Sequence, residues 1–127
     1  VVHALDGPDG VYRLAPVERL SSAEQSALML REGPRRAAVA CETGDWAHVD
    51  VYLTRTLDYR AIVFAGSAWD RQALGWLRDR GSTVVAVGAI VPDAAASVRY
   101  RGDDDPEVAL HAEALIGELI AATWWLG

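Results

Sequence analysis

Two groups of residues in this chain have the types and spacing for chemistry: Gly66, Ser67 and Ala68 with the earlier Thr43 and Gly44, and His111 with Glu113. Gly66-Ser67-Ala68-Trp69-Asp70 reads as the end of a strand and the opening of a helix. Gly66 allows close backbone approach, Ser67 offers a hydroxyl, and a helix N-terminus exposes unpaired N–H groups, a combination that suits phosphate. The same residues also read as a plain strand-to-helix turn with Ser67 as N-cap, and Asp70 sets a negative charge beside any anion bound there. Thr43-Gly44 repeats the pattern one unit earlier, flanked by Glu42 and Asp45.

His111 lies in the last predicted helix, with Glu107 four residues before it and Glu118 seven after it on one polar face. Glu113 points elsewhere. A histidine beside a carboxylate can act as general acid or base near neutral pH; the plainer reading is a solvated Glu–His contact on an exposed face. His3 and His48 lack the spacing of metal ligands, so no metal and no cofactor is expected. Asp103–Asp105 ahead of Pro106 read as helix capping rather than a cation site.

What is missing restricts the function further. The chain has neither Lys nor Asn. That excludes a P-loop lysine, a Schiff-base lysine and a kinase lysine. Cys41 is alone in an apolar setting, which predicts a buried structural thiol and no disulfide framework. The net charge of −6 and pI near 4.9 disfavour direct nucleic-acid binding. No run approaches a membrane span and no leader is recognisable, so a cytoplasmic protein is expected.

The elements that must position these residues follow from apolar runs and punctuation. Val1–Leu5 is a short apolar run before the dense turn Asp6–Gly10, and Val11–Ala15 is a strand that either pairs back as a hairpin or leads onward. Ser21 and Glu24 match a capping box opening a helix to about Arg31, stopped by Gly33-Pro34. Arg36–Glu42 reads as a strand, and Trp46–Leu57 as a helix weakened by its β-branched residues. Ala61–Gly66 and Thr83–Ile90 are buried strands joined by a helix over Trp69–Arg80, with Trp69, Ala73, Trp76 and Leu77 inward. Ser97–Tyr100 is a short strand. The last helix carries an apolar stripe of Val108, Ala112, Leu115, Ile116, Leu119 and Ile120, which predicts its buried face. Trp124 and Trp125 predict either a dimer contact or packing onto the chain's own N-terminal strand.

Alternation of strands and helices over 1–127 predicts a single α/β domain, a three-layer α/β/α sandwich on a mostly parallel five-stranded sheet. A flavodoxin-like 2-1-3-4-5 order is the commonest arrangement that right-handed crossovers allow. Ligands then settle at the carboxyl ends of the strands.

The half from Asp58 to Leu126 resembles the sugar isomerase (SIS) domain. DYRAIVFAGSAWDRQALGWLRDRGSTVVAV is similar to that family's strand, Ser-rich loop, helix and second strand, and RYRGDDDPEVALHAEALIGEL looks like the D-D-x-P turn and last helix of its phosphoheptose isomerase branch. The resemblance implies phosphosugar binding, a homodimer, and aldose–ketose isomerisation with His111 or Glu113 as base and Ser67 with nearby amides holding the phosphate. The family's hydroxyl-rich loop is reduced here to Ala65-Gly66-Ser67-Ala68. The expectation is therefore a module that binds a small phosphorylated metabolite, with a non-catalytic regulatory or scaffolding module that has lost the site as the alternative. A flavodoxin-like receiver or nucleotide binder is a third reading, weakened by the lack of an acidic pair and a lysine at the strand ends.

Overall fold

Five short strands form one sheet in the order β2-β1-β3-β4-β5, and every neighbouring pair is parallel. The computed structural model describes all residues from Val1 to Gly127. The strands are β1 (Val11–Ala15), β2 (Ala38–Glu42), β3 (Arg60–Phe64), β4 (Thr83–Val87) and β5 (Ala96–Val98). Strands β3 and β4 are continuous apolar runs because helices cover both faces of the sheet. On one face lie α1 (Val2–Leu5), α2 (Leu20–Glu32) and α5 (Pro106–Leu126); on the other lie α3 (Thr43–His48), the 3-10 segment Asp50–Arg55 and α4 (Asp70–Asp79). The three-layer sandwich and its strand order are as the alternation of elements predicts.

Several local expectations give way to tertiary contacts. Val2–Leu5 is a single helical turn, so the N-terminal run is not a strand, and β1 pairs with β2 and β3 rather than folding back as a hairpin. The capping box at Ser21 and Glu24 does not form. A 3-10 turn over Val17–Arg19 runs straight into α2, whose first residues have no side-chain cap. Ser22, next to Ser21, is drawn into the α2–α5 contact, where its hydroxyl donates to the Leu110 carbonyl at 2.5 Å. The stretch Trp46–Leu57 is broken after His48, as its β-branched residues suggest. In α4 only Ala73 and Leu77 are buried; Trp69 and Trp76 are partly exposed, with the Arg80 guanidinium over the Trp76 ring.

Gly117 makes the tightest helix contact possible. A Cβ there would stand 1.8 Å from the Ser26 hydroxyl, so α2 and α5 close on each other only because the side chain is absent. Cys41 is buried, near the Asp50 carboxylate, and burial pushes its thiol up to about 12. A thiol so raised is inert as a nucleophile, in keeping with a structural role.

Arg13 stands out in the middle of β1. Its side chain is completely buried, and none of its three guanidinium nitrogens has a hydrogen-bond partner. Desolvation alone depresses its pKa strongly. A buried charge with no counter-ion costs several kcal/mol. Arg13→Met should therefore raise the unfolding free energy, by about 1–4 kcal/mol in urea denaturation, because it keeps the volume and removes the charge. Unchanged or reduced stability would mean that the guanidinium is satisfied in solution.

Candidate functional site

In a 2-1-3-4-5 sheet the strand order reverses between β1 and β3, and the crevice beyond their carboxyl ends is the place where such folds hold ligands. Here that crevice is occupied by the protein itself. Arg19 follows β1 by one short turn and extends toward the loop after β3. Its Nε donates to both carboxylate oxygens of Glu113, at 2.9 and 3.0 Å, and its Nη2 donates to the Ala65 carbonyl. The two side chains are only 9% and 2% exposed. Burial pushes the Glu113 carboxyl above the usual carboxylate range, with the hydrogen bond and charge of Arg19 opposing that shift.

Gly66 is required at this position. Its φ of +136° lies in the region that favours glycine, and a Cβ would stand 2.8 Å from Arg19 Nη2 and 3.4 Å from Nη1. The loop amides next to it are already occupied. Asp70, the first residue of α4, turns back so that its Oδ2 accepts from Gly66 N at 2.7 Å and from Ser67 N at 3.2 Å. The Ser67 hydroxyl accepts from Trp69 N at 3.1 Å, a local turn contact. Ala68 is exposed and adds only backbone. The other Asp70 oxygen, Oδ1, is buried with no partner. Desolvation raises the Asp70 pKa, opposed by the two amides and by Arg19.

The second loop is closed in a similar way. The Glu42 carboxylate accepts from Asp45 N at 2.8 Å, and so caps α3. Thr43 is fully buried and its hydroxyl has no partner. Gly44 lies under the Trp69 indole, which a Cβ would meet at 2.7 Å, and His48 packs edge-on against the same ring at 4.9 Å between centroids. Trp69 therefore spans from the loop after β3 to the loop after β2, passing over the end of β1.

Of the residues singled out from the sequence, Gly66, Ser67, Thr43, Gly44 and Glu113 converge on the carboxyl end of the sheet. His111 does not join them. It is exposed on α5 without a hydrogen-bond partner, on a different face from buried Glu113. Arg19 is the residue at this end of the sheet that sequence reasoning passes over. The signal for it was positional: the first polar cation after the strand that flanks the switch point.

No family model matches the sequence, and no curated protein does either. Solved structures do. The chain superposes on an Escherichia coli CFT073 protein in complex with a phosphorylated sugar with a TM-score of 0.74 at 12% identity, over 98% of this chain and 72% of the other. A Bacteroides fragilis NCTC 9343 protein described as a phosphosugar isomerase involved in capsule formation gives 0.73 at 10% identity, over 97% and 74%. The C-terminal domain of glucosamine-fructose-6-phosphate aminotransferase from Francisella tularensis gives 0.68 at 14%, over 95% of this chain and 37% of that one. Such identities speak for architecture: the chain has the α/β sandwich fold of sugar isomerase domains, a fold on which phosphosugar-isomerase proteins are built.

Removing one partner of the buried pair should be costly while removing both should not. Glu113→Ala is expected to lose about 3–5 kcal/mol of stability, whereas Arg19→Met with Glu113→Leu should recover most of that loss. Additive losses in the double variant would show that the two side chains are not coupled.

Proposed function

We propose that the protein is a phosphosugar-binding module of the sugar isomerase fold that does not turn its ligand over. One observation carries this reading: the carboxylate of Asp70 sits on the Gly66 and Ser67 amides beside the Arg19 guanidinium. Two convergent N–H groups and a cation form a seat for an oxyanion, and a carboxylate of the chain itself fills it. The hold is incomplete, since Asp70 Oδ1 is buried and unsatisfied. An unmet acceptor costs about 1–3 kcal/mol, which lowers the barrier to displacement. A phosphate brings more oxygens and more charge to the same donors, and Arg19 Nη1, used in no hydrogen bond within the chain, faces the same loop.

The positions of the candidate bases support a reading without turnover. Isomerisation between C1 and C2 of a sugar needs one base within reach of both carbons in a shielded pocket. Glu113 is committed to Arg19, and His111 points to solvent away from the sheet end. No helix is long and apolar enough to cross a membrane.

Thermal shift against glucose 6-phosphate, ribose 5-phosphate and inorganic phosphate tests the binding claim. Ligand at about 100 times its Kd should stabilise the protein by about 2.7 kcal/mol, and Asp70→Asn should bind at least tenfold more tightly because the competing charge is gone. A flat panel for both proteins contradicts phosphosugar binding. Exchange of the C2 proton in heavy water tests the second half: no exchange is expected, and catalytic exchange abolished by Glu113→Gln would make the protein an isomerase.

A further inference from the structure

Sheets of this order hold ligands at the carboxyl ends of their strands, yet a cavity also lies at the opposite end. It measures about 230 Å³, and its polar wall is made by Gly7, Gly10, Arg35, Arg36 and Ala37. Gly7 and Gly10 belong to the turn that enters β1, and Arg35–Ala37 to the turn that enters β2. Gly10 lets the two turns meet. Its φ is +81°, and a Cβ there would stand 2.6 Å from the Ala37 carbonyl oxygen.

The two arginines are held differently. Arg36 is fixed, because its Nη1 donates to Asp6 Oδ1 and its guanidinium lies 4.3 Å over the Trp124 ring. Arg35 is exposed and has no ion-pair partner. Its φ of +60° makes it the one non-glycine residue of the chain in the left-handed region. That conformation suits Gly or Asn and is uncommon for a long side chain. A residue kept there against its preference points to a function, and here it sets a free cation at the wall of a cavity. The amides of Gly7 and Ala37 add two donors, since neither bonds to another backbone group. The rest of the wall, Leu5, Pro8 and Val11, is apolar. We propose that this cavity binds a small carboxylate with a short carbon skeleton, its charge on Arg35 and its carbon atoms against the apolar wall.

Charge selects a carboxylate over a phosphate. Asp6 neutralises Arg36, which leaves Arg35 as the uncommitted positive charge. Asp9, in the same turn, is engaged elsewhere, its Oδ2 accepting from Asp58 N. One cation and two amides balance a monoanion. A dianionic phosphate would meet the Asp6 carboxylate with half its charge unanswered. Size agrees, since water takes about 30 Å³ per molecule and the cavity therefore holds several heavy atoms, more than a bare ion. The planar guanidinium also matches a planar carboxylate, two N–H groups to two oxygens. The site shares no residue with the Gly66 loop and does not rest on the phosphosugar reading.

Amide spectra of the labelled protein during titration with lactate, and separately with sulfate as a bare dianion, test this. Lactate should give saturable shifts at Gly7, Gly10 and Ala37 with a Kd of about 1 mM or tighter, while Gly66 and Ser67 stay unmoved. Sulfate should bind at least tenfold more weakly. Arg35→Asn tolerates the left-handed conformation and removes the cation, so it should weaken lactate at least tenfold in a protein that far-UV circular dichroism shows to be folded. Asp6→Asn frees Arg36 and should tighten lactate several-fold. No saturable shift around the cavity, or shifts that persist unchanged in Arg35→Asn, overturns the proposal. Sulfate binding as tightly as lactate, or no gain in Asp6→Asn, overturns the choice of a carboxylate.

Discussion

The bridge between Arg19 and Glu113 is the contact on which the rest of this molecule turns. It links the turn after β1 to the last helix across the crevice where the sheet changes direction. Each of these two buried charges offsets the desolvation of the other, and Arg19 adds the Ala65 carbonyl. The bridge fixes which face of α5 turns inward, since Glu113 must point toward the sheet end. It also makes glycine obligatory at position 66, where the guanidinium lies against the backbone.

From that constraint the character of the site follows. The pair fills the crevice, Asp70 takes the loop amides, and Trp69 lies across Gly44. What remains is a pair of loop amides held by the protein's own carboxylate, the proposed anion seat. The fold is one that phosphosugar-isomerase proteins also use, and on the proposed reading the residues at the carboxyl end of its sheet serve recognition rather than proton transfer.

How much of this was legible in the sequence depends on whether the determinant was local. Strands β3 and β4 are unbroken apolar runs, and punctuation by Gly and Pro marks the helices between strands, so layers and order could be read directly. The last helix misleads because its larger apolar residues form a regular stripe, yet burial is decided by Gly117 against Ser26 and by a carboxylate's need for a distant arginine. The same holds for Ser21 and Glu24, whose capping pattern yields to the continuous turn from Val17 into α2 and to the tie between Ser22 and Leu110. At the site, Gly66 and Ser67 were visible as a loop suited to an anion. That Asp70 would occupy it, and Arg19 support it, depends on a contact between residues far apart in the chain and on a rotamer that no spacing rule encodes.

On the proposed reading Asp70 stands where a ligand's phosphate belongs. The most direct measurement is the amide spectrum of the labelled protein during titration with glucose 6-phosphate, together with the carboxyl carbon signal of Asp70. The Gly66 and Ser67 amides are expected to move first and most, with the Asp70 carboxyl shifting as it is released. Saturable shifts confined to other residues, with Gly66, Ser67 and Asp70 unmoved, would contradict it.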